Sequence, residues 1–260
     1  MSLGYLIDVQ GTLISDADKS PLLGAKELID ELNIKNIPYC VITNNTKTAS
    51  DIFLKELQGK GLNIKYYLDP FMVIKKVLNA RDIYPFGPDS FCNVLESIGF
   101  RVDEDKPEAL LIASHTEFNA SSFAKMITLA QKGAKIIGMH GTSIYAKNGK
   151  TYPGVGAILA MLSYATSLST SVVGKPSPLF YERALDILRT QNSSLKWEDI
   201  TIVSDDAKGD LVGAKTLGMQ TRLVLSGKVK SDKEVQPLIS HIDTIDASVE
   251  KIAKEIRARD

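Results

Sequence analysis

Cysteine is scarce in this chain: Cys40 and Cys92 are the only two in 260 residues. Their separation fits no metal-ligand spacing. Two thiols in apolar settings read as packing residues in a reducing compartment, not as a bridge. Charge of one sign is also missing. Lys plus Arg number 31 and Asp plus Glu number 31, a formal net charge of +0. No strong field therefore draws nucleic acid or an anionic membrane. No apolar run reaches membrane-spanning length, and no basic leader precedes an apolar segment. The expectation is a cytoplasmic protein with neither nucleic acid nor membrane as partner. Internal repeats and low-complexity segments are absent too. What is present is an ordinary globular balance, 44% hydrophobic and 24% charged, on a length that holds one large domain or two smaller ones.

Apolar runs alternate with helical patterns. Tyr5–Ile7 reads as a strand, Ala25–Asn33 as an amphipathic helix, Pro38–Thr43 as a strand and Ala49–Gly59 as a helix. The alternation returns late in the chain. Thr170–Val173, Ile200–Val203 and Thr221–Leu225 read as strands; Leu179–Leu188, Asp210–Leu217 and Val249–Ala258 read as helices. Strands separated by helices imply βαβ units and a parallel sheet. Between the halves lies a block with its own strands, Ala109–Ala113 and Lys135–Gly138, and its own helices, Phe123–Lys132 and Val155–Thr166. Asn148-Gly149 fits a hairpin turn joining Ser143–Lys147 to Lys150–Tyr152. The expected fold class is α/β: a doubly wound, Rossmann-like parallel-sheet core from residues 1–78 and 170–260, with an inserted α/β cap at 79–169 over the strand tips.

Four predicted strand tips carry polar groups suited to one task. The run Tyr5-Leu6-Ile7-Asp8 ends in a carboxylate and turns through Gly11. Ligands in open α/β sheets bind at such tips, and a carboxylate there can attack phosphorus to form an aspartyl-phosphate. Thr43 and Asn44 follow the second strand, where a hydroxyl and backbone N–H groups suit phosphate oxygens. Lys175, in Gly174-Lys175-Pro176, brings a positive charge. Asp205 and Asp206 follow a further strand and suit Mg²⁺, which takes a few carboxylates plus water and substrate phosphate. Asp206 is open to two readings, ligand or surface neighbour of Asp205. Asp210 stands in a first helical turn, placed to orient Lys175 or a metal-bound water from behind.

The joint order of these motifs resembles the haloacid dehalogenase superfamily of aspartyl-nucleophile phosphohydrolases. The matching segments are Asp8–Leu13, Val41–Asn45, Val173–Pro178 and Val203–Asp210. The long insert resembles the NagD-type α/β cap, and Val172–Pro178 and Leu223–Lys228 resemble that branch. The resemblance implies Asp8 as nucleophile and Mg²⁺ ligand, the Gln10 main-chain carbonyl and Asp205 as further ligands, Thr43 and Asn44 as phosphate-binding residues, and Lys175 as charge stabiliser. It implies a small phosphorylated substrate and a homodimer. Ser204 stands where the family usually has glycine.

Gln10 departs from the pattern more strongly. The family's phosphatases usually place there an Asp that protonates the leaving oxygen, help worth roughly 10²–10⁴-fold. An amide cannot exchange that proton at neutral pH. One branch with a similar cap, the phospholysine phosphohistidine inorganic pyrophosphate phosphatases, also departs from Asp, and Ile144–Gly156 and Gly174–Pro178 resemble it. The departure therefore reads as natural rather than introduced. It leads to a slow phosphohydrolase favouring P–N bonds, P–O–P bonds or activated esters. The alternative is a phosphate-binding pseudoenzyme or regulatory module. Dehalogenase chemistry needs no Mg²⁺, so Asp205 argues against it; phosphonatase chemistry needs a cap lysine that no motif here places. Plainer readings stand beside these. Asp16 and Asp18 belong to a solvated loop, His115 and His140 to cap element ends, and Asn45 and Thr46 either cap a helix or touch ligand. Tyr66-Tyr67 and Tyr84/Phe86 read as core or interface.

Overall fold

The computed structural model describes residues 3–147 and 150–259. The chain divides into two compact units: one of residues up to Thr43, Asp51–Leu68 and Tyr181 onward, the other of Asn44–Ser50 and Asp69–Phe180. In chain order the regular elements are β1 (Gly4–Asp8), α1 (Ala25–Ile34), β2 (Tyr39–Ile42), α2 (Ser50–Gly59), β3 (Tyr67–Leu68), α3 (Pro70–Val77), β4 (Asp82–Phe86), α4 (Asp89–Ser97) and β5 (Arg101–Val102). Then follow β6 (Ala109–Ile112), α5 (Ala120–Gln131), β7 (Lys135–Gly138), β8 (Ile144–Lys147), β9 (Lys150–Pro153), α6 (Val155–Thr166), β10 (Thr170–Val172) and α7 (Pro178–Gln191). The chain closes with β11 (Ile200–Ser204), α8 (Val212–Thr216), β12 (Gln220–Val224), β13 (Thr244–Asp246) and α9 (Glu250–Arg257).

The first unit is built on a six-stranded sheet in the order β13-β12-β11-β1-β2-β3, parallel at every pairing. Every residue of β1, β2 and β11 is buried. Such unbroken burial is what a sheet covered on both faces demands, and it explains why these strands read as apolar runs without alternation. The chain winds outward from β1 through β2 and β3, then returns to the other side of β1 with β11. The crevice between β1 and β11 is therefore a topological switch point, the place where open α/β sheets receive ligands. Ile7 pairs with Val203, so the two strands run out together and deliver Asp8 and Asp205 to the same end.

The second unit has its own parallel sheet, in the order β10-β7-β6-β4-β5. Its core packs Phe86, Leu110, Ile112 and Ile136 of the sheet against Met126 and Leu129 of α5 and Ile158, Leu159 and Leu162 of α6. The Tyr84 and Phe86 rings lie 4.8 Å apart, both packed in this core. β8 and β9 pair antiparallel as the expected hairpin; the Asn148-Gly149 turn itself lies outside the described residues.

The expected core half beginning at residue 170 needs correction. β10 hydrogen-bonds to β7 of the second sheet, and α3 belongs to that unit as well. The second unit thus reaches beyond 79–169 at both ends. Asp210–Leu217 also differs from the single helix expected: a wide turn over Ala207–Leu211 precedes the short α8. β4 escaped sequence reading because Pro85 interrupts it. Its place is explained by register: β5 pairs only with Asp82 and Ile83, so no ladder bond is asked of the Pro85 nitrogen on that side.

α1 and α9 pack together in the first unit, and Gly24, at the N-terminus of α1, makes this possible. Its φ is 82°, and a Cβ there would fall on the Glu250 backbone. Gly24→Ala is expected to cost at least about 1–2 kcal/mol from the left-handed conformation alone, plus the displacement of α9. Leu23→Ala, at a side chain 66% exposed, should leave the denaturation midpoint nearly unchanged. Equal midpoints for the two variants would contradict this packing.

Candidate active site

Asp8 is 5% exposed and Asp205 1% exposed. Burial is the largest influence on Asp205 and the Asp8 charge the second; together they push its pKa from 3.8 to about 7. The Asp8 charge therefore acts on Asp205 across the β1/β11 switch point. Gly11, with φ 73°, lets the chain turn away directly after Asp8. A Cβ on Gly11 would fall on the Asp205 carboxylate, so this position needs glycine for space as well as for conformation.

The Asp205 turn is tied down from several directions. Its N–H donates to Thr12 Oγ1 at 3.1 Å. Its Oδ2 accepts the Lys228 N–H at 2.6 Å. Ser204 Oγ donates to Asp210 Oδ2 at 2.6 Å and accepts the Asp206 N–H at 3.0 Å. The hydroxyl at the position where glycine is usual thus joins two acidic residues into one turn. Asp206 Oδ1 accepts the Gly209 N–H at 2.8 Å, and Asp206 Oδ2 pairs with the Lys228 ammonium. The Asp210 carbonyl accepts the Tyr181 hydroxyl at 3.0 Å. Burial lowers the Lys228 pKa, but the Asp206, Asp210 and Asp205 charges outweigh it and raise the value.

Thr43, at the end of β2, donates its hydroxyl to Gln10 Oε1 at 2.9 Å. The threonine expected to bind phosphate is therefore hydrogen-bonded to the amide that stands where the family usually has its acid. In the second unit, Asn44 and Lys175 form a pair of their own. Asn44 Oδ1 accepts the Lys175 N–H at 2.8 Å, and Asn44 Nδ2 donates to the Lys175 carbonyl at 3.4 Å. Lys175 is 3% exposed. Asn45 serves local structure: its Oδ1 accepts the Lys47 and Thr48 N–H groups, and its Nδ2 donates to Asp69. Asp69, unnoticed in the sequence, also accepts Ser50 Oγ and caps α3 through the Met72 N–H. His140 is buried and bonded to Ser114 Oγ at 3.0 Å. His115 lies edge-on to Phe118.

Among the described residues no three His, Cys, Asp or Glu side chains converge as a ready-made metal cage. The expected set needs only two, because its third donor is the Gln10 main-chain carbonyl. Two buried carboxylates, one of them raised in pKa by burial and by the other's charge, fit a hard divalent cation, which would replace the proton that Asp205 otherwise holds near neutrality. The sign follows directly. Asp205 binds a proton more tightly folded than unfolded, so metal-free protein loses stability as pH rises from the ordinary carboxylate value of 3.8 to about 7. The metal-free melting temperature should fall by several degrees between about pH 5 and about pH 8, and Mg²⁺ should restore it. Asp205→Asn should flatten that pH dependence and abolish the Mg²⁺ shift. Scanning calorimetry with and without chelator reads both.

Comparison with known proteins agrees with this geometry. Residues 5–101 match the family model described as haloacid dehalogenase-like hydrolase, and residues 172–250 match a second, HAD-hydrolase-like model. The chain is 27% identical over 251 residues to the acid sugar phosphatase of Staphylococcus haemolyticus, covering 92% of this chain and 93% of that protein. The p-nitrophenyl phosphatase of Archaeoglobus fulgidus superposes with a TM-score of 0.81 at 24% identity, over 98% of this chain and 99% of that one. NagD of E. coli K-12 superposes with a TM-score of 0.77 at 21% identity, over 96% and 98%. No helix among the described residues is long and apolar enough to cross a membrane. With the buried acid pair at the switch point and family models matched on both sides of the insert, the chain belongs to the haloacid dehalogenase-like hydrolases, in the NagD-like architecture.

Proposed function

We propose that this chain is a Mg²⁺-dependent phosphohydrolase working through an aspartyl-phosphate on Asp8. The observation that carries the reading is the buried Asp8/Asp205 pair at the β1/β11 switch point. The Asp8 carboxylate attacks phosphorus opposite the leaving group; the bond to that group breaks and an acyl phosphate forms. Water then attacks the same phosphorus; the P–O bond to Asp8 breaks, the water's protons leave on the released inorganic phosphate, and the Asp8 carboxylate is restored. Bound between Asp8, Asp205 and the Gln10 main-chain carbonyl, Mg²⁺ would offset phosphoryl charge and keep Asp8 ionised. Asn44 and Lys175 are assigned to the phosphoryl oxygens, and the second unit takes the part of the cap. Thr43 can donate to phosphate only by releasing Gln10. Asp206 and Asp210 shape the Asp205 turn from behind. A cytoplasmic setting and a homodimer complete the reading and rest on composition and resemblance.

Gln10 decides the substrate class. Its amide hydrogen-bonds but delivers no proton, so the leaving group must depart without acid assistance. The amine of a phosphoramidate can leave already protonated on nitrogen, and the phosphate expelled from pyrophosphate and the nitrophenolate expelled from its ester are good leaving groups. Alkyl phosphates demand the missing acid. The names of the acid sugar phosphatase relatives point to sugar phosphates; the chemistry at position 10 points this chain toward P–N, P–O–P or activated ester bonds.

Asp8→Asn should reduce turnover of p-nitrophenyl phosphate by more than about 10³-fold, since it removes the nucleophile itself. Wild-type phosphoenzyme, quenched in acid, should show the mass of one phosphoryl group, and the variant should not.

Gln10→Asp should accelerate phenyl phosphate and sugar phosphates by about 10²-fold or more while changing p-nitrophenyl phosphate little. The steep dependence of rate on leaving-group pKa in the wild type should then become shallow. Fast wild-type turnover of sugar phosphates would overturn the substrate assignment. Phosphate binding without hydrolysis of any member of the panel would establish the pseudoenzyme instead, a reading favoured by the Thr43–Gln10 bond.

A further inference from the structure

We propose that the loop Ser226-Gly227-Lys228 sets which divalent cation the Asp8/Asp205 site accepts. The inference rests on the metal site of the phosphohydrolase reading and gives that site a selectivity. After β12 the chain turns back across both acidic strand ends. Ser226 Oγ donates to the Gly11 carbonyl at 2.7 Å, fixing the loop to the turn that follows Asp8. Lys230 Nζ donates to the Ser226 carbonyl at 2.9 Å and braces the loop from its far side. Between these anchors the Lys228 N–H donates to Asp205 Oδ2 at 2.6 Å.

Oδ2 is enclosed as well as bonded. A Cβ on either Gly11 or Gly227 would fall on that oxygen, and one on Gly11 would stand 2.8 Å from Gly227 Cα. Two glycine backbones and one N–H therefore surround Oδ2, leaving Oδ1 as the oxygen that Asp205 can offer. Mg²⁺ takes single oxygens in a strict octahedron, whereas Ca²⁺ takes six to eight and gains from two-oxygen grips by one carboxylate. A one-oxygen Asp205 favours the smaller cation. The Lys228 ammonium has a separate effect. It pairs with Asp206, on a side chain 56% exposed, and its positive charge weakens all divalent cations alike without choosing between them.

The two contributions of Lys228 separate by mutation. Calorimetric titration of the full chain with Mg²⁺ and with Ca²⁺, in the absence of substrate, gives both affinities. Lys228→Pro removes the N–H and should lower the preference for Mg²⁺ over Ca²⁺ by about tenfold or more, the scale typical of a lost partner behind a metal ligand. Gly227→Ala should act in the same direction by pushing the loop off Oδ2, and it carries the test should the proline variant fail to fold. Lys228→Met keeps the N–H; both affinities should rise together with their ratio unchanged. The proposal is overturned if folded Lys228→Pro and Gly227→Ala keep the wild-type ratio, or if Lys228→Met shifts it as far as they do. Asp205→Asn is the control: Mg²⁺ binding that survives it would overturn the metal site itself, and the inference with it.

Discussion

Two carboxylates buried next to each other are the constraint around which the first unit is arranged. Asp8 and Asp205 arrive together because β1 and β11 are neighbours in register, and burial plus repulsion by Asp8 makes Asp205 costly to ionise. A site of this kind persists only if each acid is held where it cannot relax away from the other. The fold supplies that restraint from three loops. Thr12 takes the Asp205 N–H, the loop after β12 takes Oδ2, and Ser204 joins Asp206 and Asp210 behind the turn. The Lys228 ammonium pairs with Asp206 and offsets part of the Asp205 charge. Hydrogen bonds thus orient Asp205, while burial and the Asp8 charge keep its pKa raised, a state that suits the cation proposed for the site.

The amide at position 10 changes what that arrangement can do without changing how it is held. The main-chain carbonyl of residue 10 is indifferent to its side chain, so the donor set is the same as with an acid. The side-chain oxygen instead accepts the Thr43 hydroxyl. In the proposed reaction, proton transfer is what is given up, and the burden falls on the substrate's leaving group.

Much of this was legible in the sequence because its signals are local. Asp8, Thr43, Asn44, Lys175 and Asp205 each follow an apolar run or a Gly/Pro turn, and strands buried on both faces announce themselves as such runs. The parallel core and the inserted α/β unit followed from the alternation of elements. What stayed hidden was non-local. β3 and β5 have two residues each, too few for any period, and Pro85 masks β4. β10 looked like a core strand because Val172-Val173-Gly174-Lys175 continues from it, yet strand pairing is decided by partners, and its partner is β7. The roles of Ser226, Lys228 and Asp69 depend on contacts between residues far apart in the chain, which spacing cannot show. Nothing in the residues Ser226-Gly227 themselves says which carboxylate their loop will face.

The motif Gly174-Lys175 has a structural reason that is independent of phosphate. Asn44 holds Lys175 as a neighbouring strand would, accepting its N–H and donating to its carbonyl. Only a side-chain amide offers both functions at that spacing; an aspartate would face the carbonyl with no donor, and a threonine would reach one group but not both. A Cβ on Gly174 would stand 2.7 Å from Asn44 Oδ1, so the residue before the lysine must be glycine for this two-way bond to close. The lysine main chain is thereby fixed before its side chain is asked to do anything. The signature at 174–175 and the asparagine at 44 are therefore one structural device written in two places. Their agreement within a single chain is stronger support for Lys175 as a preorganised cation than either motif provides alone.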